Sequence, residues 1–268
     1  MIKNTAAPTC LALALSLLAA GPALAFEPQA LAAAPRLLAG WTHADGSRTA
    51  ALRLEMNAGW HTYWRRPGDT GIPPQFDWSA SHNLAAVQIH WPNPQIFDTS
   101  GSATLGYEGT LVLPITLTPR DPAAPIDLSV ALDLGVCDEV CLPLSSQVSA
   151  RFDPSTTGDV PAIQTALAQG PTPAHGATCT ATPIADGLRL TATLETPRLG
   201  RREVMVIEPS DPAIWVSQAE VLRDGAVIRA TSDLVPPNAQ PFALERSKVT
   251  ISVIGDAGAV QTVGCSAP

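Results

Sequence analysis

Cys137 and Cys141 stand four positions apart in the run Cys137-Asp138-Glu139-Val140-Cys141. Two thiols so placed can be joined, opened by another thiolate and rejoined, which is thiol–disulfide exchange. In an extended strand their Cα atoms would lie roughly 13 Å apart. A disulfide tolerates about 4.4–6.8 Å, so pairing demands a tight chain reversal between them. The small ring stabilises a fold by about 2 kcal/mol, against about 4.6 kcal/mol for a loop as long as that between Cys179 and Cys265. Cycling between dithiol and disulfide is therefore a better reason for the ring than stability. A structural bridge that pins a strand end stays open as the alternative. A soft ion such as Cu(I) is the weaker one: no His or Met lies within ten residues of the pair, and zinc would need two more ligands. No metal site and no cofactor are assigned.

The surroundings of the pair bear on its reactivity. Asp138 and Glu139 are negative neighbours that raise thiol pKa values, and no basic residue adjoins them. Such a pair is a sluggish spontaneous nucleophile. It works best when a partner's thiolate attacks its disulfide, which suits a relay component.

Exported thiols pair, and the chain begins like an exported one. Residues 1–25 carry Lys3, an apolar run from Cys10 to Ala20 and the small-residue end Ala23-Leu24-Ala25, which reads as a cleavable signal. Cys10 would leave with it, and four cysteines would remain. No later stretch reaches the ~20 apolar residues of a membrane span, so a soluble exported protein is expected. The formal net charge is −8 and there is no basic cluster, so nucleic acid is not an expected partner.

The elements that must hold the pair are strands. Ala50, Leu52, Leu54 and Met56 share one face of Arg48–Met56. Leu111, Leu113, Ile115 and Leu117 do so in Thr110–Thr118, as do Ile126, Leu128, Val130, Leu132 and Leu134 in Ile126–Leu134. Gly68, Gly71, Pro73 and Pro74 mark a loop, and so do Pro92, Pro94, Gly101 and Gly106. These alternations predict an antiparallel β-sandwich ending near Phe152. From Asp153 to Ala177 the composition turns to Pro, Thr, Gly and Ala, with a short helix expected over Pro161–Gln169. The alternation resumes at Leu188, Leu190, Ala192 and Leu194, and further strands are expected at Glu203–Ile207, Ile214–Leu222, Ala226–Ala230, Lys248–Ile254 and Ala259–Val263. The domains follow as a signal over 1–25, a redox sandwich over 26–153, a linker over 154–175 and a second β domain over 176–268, each sandwich with its own core. Cys179 and Cys265 lie near the ends of the second and are expected to form a structural disulfide. Shuffling of either with the Cys137 pair is the alternative.

Other chemistry finds little support. Trp60-His61-Thr62-Tyr63-Trp64 reads as core or sheet-face packing, with binding by Tyr63 or the adjoining Arg65 and Arg66 a lesser option. The five histidines show no mutual metal spacing, and there is no Gly-x-Ser-x-Gly or phosphate-binding glycine loop.

Several segments, in order, resemble the periplasmic N-terminal domain of the disulfide reductase DsbD, particularly its ScsB-like type. They are residues 59–71 (Gly59-Trp60-His61 through Gly71), Ile89-His90-Trp91-Pro92 with Phe97-Asp98, Gly106-Tyr107-Glu108-Gly109 with Leu113-Pro114, and Val136-Cys137 through Leu142-Pro143. Residues 176–268 resemble a second immunoglobulin-like module, mostly in strand pattern. The resemblance implies two immunoglobulin-like antiparallel β-sandwiches in tandem, all-β. It implies thiol:disulfide interchange through Cys137 and Cys141, with Cys141 forming the mixed disulfide and Cys137 resolving it. A cap loop around Phe97–Glu108 would cover the sulfurs, with Phe97 or Tyr107 shielding them. Electrons would come from a thioredoxin-like redox protein fed by a separately encoded membrane electron carrier, and pass to periplasmic disulfide-containing proteins. The rival reading is a non-enzymatic periplasmic binding module, such as a copper-handling or interaction domain.

Overall fold

The computed structural model describes residues 33–99 and 102–268. The signal expected over 1–25 lies outside the described residues.

Ten strands come first: β1 (Ala33–Thr42), β2 (Arg48–Met56), β3 (His61–Tyr63), β4 (Gln75–Asp77), β5 (Leu84–Ile89), β6 (Gln95–Thr99), β7 (Ser102–Glu108), β8 (Thr110–Pro119), β9 (Ile126–Cys137) and β10 (Cys141–Phe152). They form two antiparallel sheets, one in the order β1-β2-β8-β5 and one in the order β10-β9-β3-β7-β6, with β4 also paired to β9. The sheets face each other because alternate residues of each strand are apolar. Leu52, Leu54, Leu111 and Leu113 of one sheet close on Val130, Leu132, Leu134 and Val136 of the other, together with Trp64, Leu105 and Tyr107.

Strand β2 departs from a half-buried reading. Its inward residues are buried as expected, but so is Ala51 on the opposite face. Helix α1 (Val160–Ala168), in the segment expected as a linker, lies there, and Ile163 packs with Leu38 and Ala51. That segment is tied down again by the buried Arg48, which donates to the carbonyls of Ala39 and Thr156 and lies over the Phe152 ring. Among the described residues no carboxylate is paired with Arg48; carbonyl dipoles and an aromatic face meet its charge, while burial pulls its pKa down.

The second set of strands is β11 (Thr172–Pro173), β12 (Thr178–Ile184), β13 (Gly187–Glu195), β14 (Glu203–Glu208), β15 (Trp215–Val216), β16 (Glu220–Asp224), β17 (Val227–Val235), β18 (Thr250–Gly255) and β19 (Gly258–Val263). Their sheets run β11-β19-β18-β14 and β12-β13-β17-β15, with β16 also on β17. The strand expected over Ile214–Leu222 is therefore two. Ser217 breaks it: its hydroxyl accepts the Asp233 N–H at 2.9 Å, taking the place of a ladder bond. The whole is a tandem of immunoglobulin-like β-sandwiches, antiparallel apart from the β11–β19 pair. The cores are not wholly separate. Ile254 and Ala259 of the second sandwich belong to the apolar cluster of the first, and Val204 and Val206 pack against it.

Replacing Arg48 by Met keeps the stem and removes the donors, leaving buried carbonyls unsatisfied. The variant should be less stable by about 2 kcal/mol or more in denaturant titration, and an unchanged midpoint would refute this role.

Candidate redox site

The hairpin of β9 and β10 sets the site. Its register runs unbroken from Phe152 opposite Ile126 to Cys141 opposite Cys137. Three residues, Asp138 to Val140, make the reversal, closed by the Asp138 N–H donating to the Val140 carbonyl at 3.1 Å. The two Cα atoms lie 4.0 Å apart, a little closer than the usual range for a disulfide, and the sulfurs are bonded. The tight reversal that the spacing demands is thus a strand register. The sulfurs are not equivalent: Cys137 is only 2% exposed, whereas Cys141 is exposed and Val140 beside it is 62% exposed.

Strand parity determines what can cover the pair. Thr62 in β3 pairs with Val136 of β9 and with Tyr107 of β7, and all three are buried in the core. The next row, Glu108, His61, Cys137 and Cys141, therefore lies on the other face. Tyr63, two residues beyond His61, returns to that face, and its hydroxyl sits 2.9 Å from the Cys137 Sγ and 3.5 Å from the Cys141 Sγ. Its ring fits because Gly135 and Gly71 have no Cβ. A methyl group built on Gly135 would come within 3.0 Å of the Tyr63 ring and 2.8 Å of Ile72, and one on Gly71 within 2.9 Å of the same ring.

Two expectations about the cap need correction. Tyr107 does not shield the sulfurs: it points into the core, where its hydroxyl donates to the Pro92 carbonyl at 2.8 Å. The expected cap loop is instead largely β6 and β7, a paired hairpin from Gln95 opposite Gly106 to Thr99 opposite Ser102. Gly106, expected in a loop, is a strand residue opposite Tyr63, where a Cβ would strike the Thr62 carbonyl oxygen at 2.2 Å. Phe97 lies on the sulfur side, stacked on His61 with ring centroids 5.1 Å apart, and His61 in turn meets the Tyr63 ring edge-on at 5.6 Å. The cover is thus an aromatic row with Tyr63 at the sulfurs, backed by the loop from Arg65 to Pro74.

Burial pushes the Tyr63 hydroxyl above its ordinary pKa, so it remains a protonated donor. Burial also pulls His61 below its ordinary value, opposed by the charges of Asp138 and Glu108. The other two cysteines among the described residues lie in the second sandwich. Cys179 and Cys265 form a second disulfide, both buried in the core of the second sandwich. No group of three or more His, Cys, Asp or Glu side chains among the described residues could hold a metal.

Residues 29–153 match the sequence family described as thiol:disulfide interchange protein DsbD, N-terminal. The match spans the first sandwich, strands β1 to β10, with its cysteine hairpin. A solved structure, the N-terminal periplasmic domain of ScsB from Proteus mirabilis, is similar with a TM-score of 0.63 at 21% identity, covering 88% of this chain and 94% of that one. At that identity the likeness establishes a shared fold, and its extent takes in both sandwiches. No curated protein matches the chain. Among the described residues no helix is long and apolar enough to cross a membrane.

The matched segment thus holds a formed disulfide at the end of a hairpin, with one sulfur open and one covered. In the sequence, packing is the default for Trp60 and Trp64 and binding by Tyr63 the lesser option, while Gly135 and Ile72 carry no reading. The signal for Tyr63 was its period-two relation to His61. That for Gly135 was a glycine at an outward position of β9, two residues before Cys137.

Removing only the Tyr63 hydroxyl should leave the ring in place and raise the pKa of the Cys137 thiol in the reduced protein by about one unit, because the thiolate loses a donor. Ultraviolet thiolate absorbance against pH for Tyr63→Phe measures it, and an unshifted titration would exclude the contact. A second expectation concerns acid. His61 has a folded pKa below its unfolded 6.5, so the unfolded chain binds more protons in that interval and stability is lost as pH falls through 6.5. Between about pH 7.5 and 5.5, a His61→Gln variant should lose less Tm than the parent; equal losses would remove His61 from the account.

Proposed function

We propose that the chain is a periplasmic thiol:disulfide interchange protein in which Cys141 is the sulfur attacked and Cys137 the resolving one. The difference in exposure of the two bonded sulfurs carries this assignment. A thioredoxin-like donor thiolate attacks the exposed Cys141 Sγ, and the intramolecular S–S bond breaks with its electron pair on Cys137. The Tyr63 hydroxyl, 2.9 Å away, supports that leaving thiolate. The donor's second thiolate then attacks its own bonded sulfur and releases Cys141, so two electrons have entered. In the outward half, the Cys141 thiolate attacks a client disulfide and Cys137 attacks Cys141 in the mixed disulfide, expelling the reduced client and restoring the ring. Each transfer balances without a cofactor.

The partners in this reading are a thioredoxin-like redox protein, supplied through a separately encoded membrane electron carrier, and periplasmic disulfide-containing proteins. The similarity to a periplasmic domain of ScsB and the export signal read over residues 1–25 support that compartment. The reading also divides the chain at its helical segment, with exchange in residues 26–153 and the second sandwich, stapled by Cys179–Cys265, in 176–268.

Four measurements test it. Cys141→Ser should abolish exchange with a thioredoxin-like donor. Cys137→Ser should accumulate a mixed disulfide through Cys141, visible as a reducible adduct, and absence of the adduct would reverse or remove the assigned roles. The reduction potential should lie above about −300 mV, since a value well below that marks a structural bridge. Stoichiometric Cu(I) uptake by the reduced protein without any exchange would favour a copper-handling module instead.

A further inference from the structure

We propose that Glu208 and Arg202, both in the second sandwich, are positioning residues for the Cys137–Cys141 pair, acting through the two segments that cover it. The inference rests on the exchange reading and adds a role for the half of the molecule that carries no exchanging cysteine.

The first hold begins at the sulfurs. Tyr63, whose hydroxyl reaches both, is followed by Trp64, buried in the first core with its backbone N–H donating to the Leu105 carbonyl at 3.0 Å. The Arg65 guanidinium lies over the Trp64 ring, 4.0 Å from its centroid. From there it crosses to the second sandwich. Its Nε and Nη2 donate to the two oxygens of Glu208, the last residue of β14, at 3.0 and 2.8 Å. Arg66 approaches the same carboxylate at 3.9 Å. A two-pronged arginine–carboxylate pair fixes orientation as well as distance, and this one is largely out of water, with Glu208 12% and Arg65 23% exposed.

The second hold is on the other side of the cover. Arg202 Nη2 donates to the Ile96 carbonyl at 2.7 Å. Ile96 precedes Phe97, whose ring stacks on His61 in the row of Cys137. Side chains from the second sandwich therefore grip the chain two residues after Tyr63 and one residue before Phe97.

Packing does not make these grips redundant. A cavity of about 480 Å³ lies between the loop that follows Arg65 and the second sandwich, lined by Arg66, Gly68 and Asp69 on one side and by Val206, Trp215 and Ser232 on the other. Arg65 lines this cavity as well, and its two-pronged pair with Glu208 is a polar link from the loop to β14. The loop touches the Tyr63 ring at Gly71 and lies over Gly135 at Ile72, so its position sets how closely the sulfurs are covered. Releasing it should let an attacking thiolate reach the disulfide more often.

The experiment is the rate at which dithiothreitol reduces the Cys137–Cys141 bond in the full chain, compared among the parent, Glu208→Gln, Arg202→Ala and Ile163→Ala. Ile163 is buried on the inner face of α1, in a cluster with Leu38 and Ala51 that contains neither cysteine, so its variant controls for lost stability alone. The Glu208 variant should be reduced faster by on the order of fivefold, the lower range of coupling between linked sites. The Arg202 variant should change in the same direction by less, and the Ile163 variant should lose Tm with its rate unchanged. A folded Glu208→Gln protein with the parent's rate overturns the proposal, as does an equal acceleration by Ile163→Ala. Should Glu208→Gln fail to fold, the exposed Arg202 decides alone, an unchanged rate counting against the proposal. A small thiol needs no protein partner. Failure of the parent to exchange with a thioredoxin-like protein would sink the functional reading while leaving this comparison of rates intact.

Discussion

The register of one hairpin governs the chemistry of this molecule. Because side chains alternate along a strand, a slip of one residue between β9 and β10 would leave Cys137 and Cys141 on opposite faces of the sheet. The register is secured over twelve residue pairs by the apolar alternation of β9, whose inward side chains have nowhere else to go. The disulfide is therefore a consequence of the core: burying Leu128 through Val136 is what sets the two sulfurs opposite each other.

Such an origin explains how the bond can be opened without dismantling the fold. The hairpin is held by its ladder and by the hydrophobic effect acting on one face, so a reduced pair stays in register when the sulfurs part. The site then needs only a difference between the two sulfurs. Position provides it: Cys141 opens the outgoing strand at the edge of the sheet, while Cys137 ends an interior strand under a phenol ring. The second disulfide has no such asymmetry and sits in a core, where exchange partners cannot enter.

The strands of the first sandwich were legible in the sequence because their alternation is nearly unbroken, and the reactive pair because cysteine spacing is a local signal. What was missed lies in contacts between distant segments. Tyr63 and Tyr107 are both tyrosines near a glycine-rich stretch; only the pairing of β3 with β9 tells which faces the sulfurs. Gly106 reads as a break in a pattern and Gly135 draws no reading, whereas in the fold each leaves room for something that crosses it. The burial of Ala51 on the nominally outer face of β2 depends on a helix more than a hundred residues later, which no periodicity within β2 could announce. Asp153 to Ala177 looked like a tether by composition, yet Ile163 and the carbonyl of Thr156 fasten it to the first sheet.

The apolar cluster that runs from the first sandwich into Ile254, Ala259, Val204 and Val206 has a practical corollary. A fragment cut after residue 153 would carry the whole cysteine hairpin but expose a greasy flank that the intact chain keeps dry. Such a fragment would tend to self-associate, and side reactions between neighbouring copies could then be mistaken for the intrinsic behaviour of its thiols.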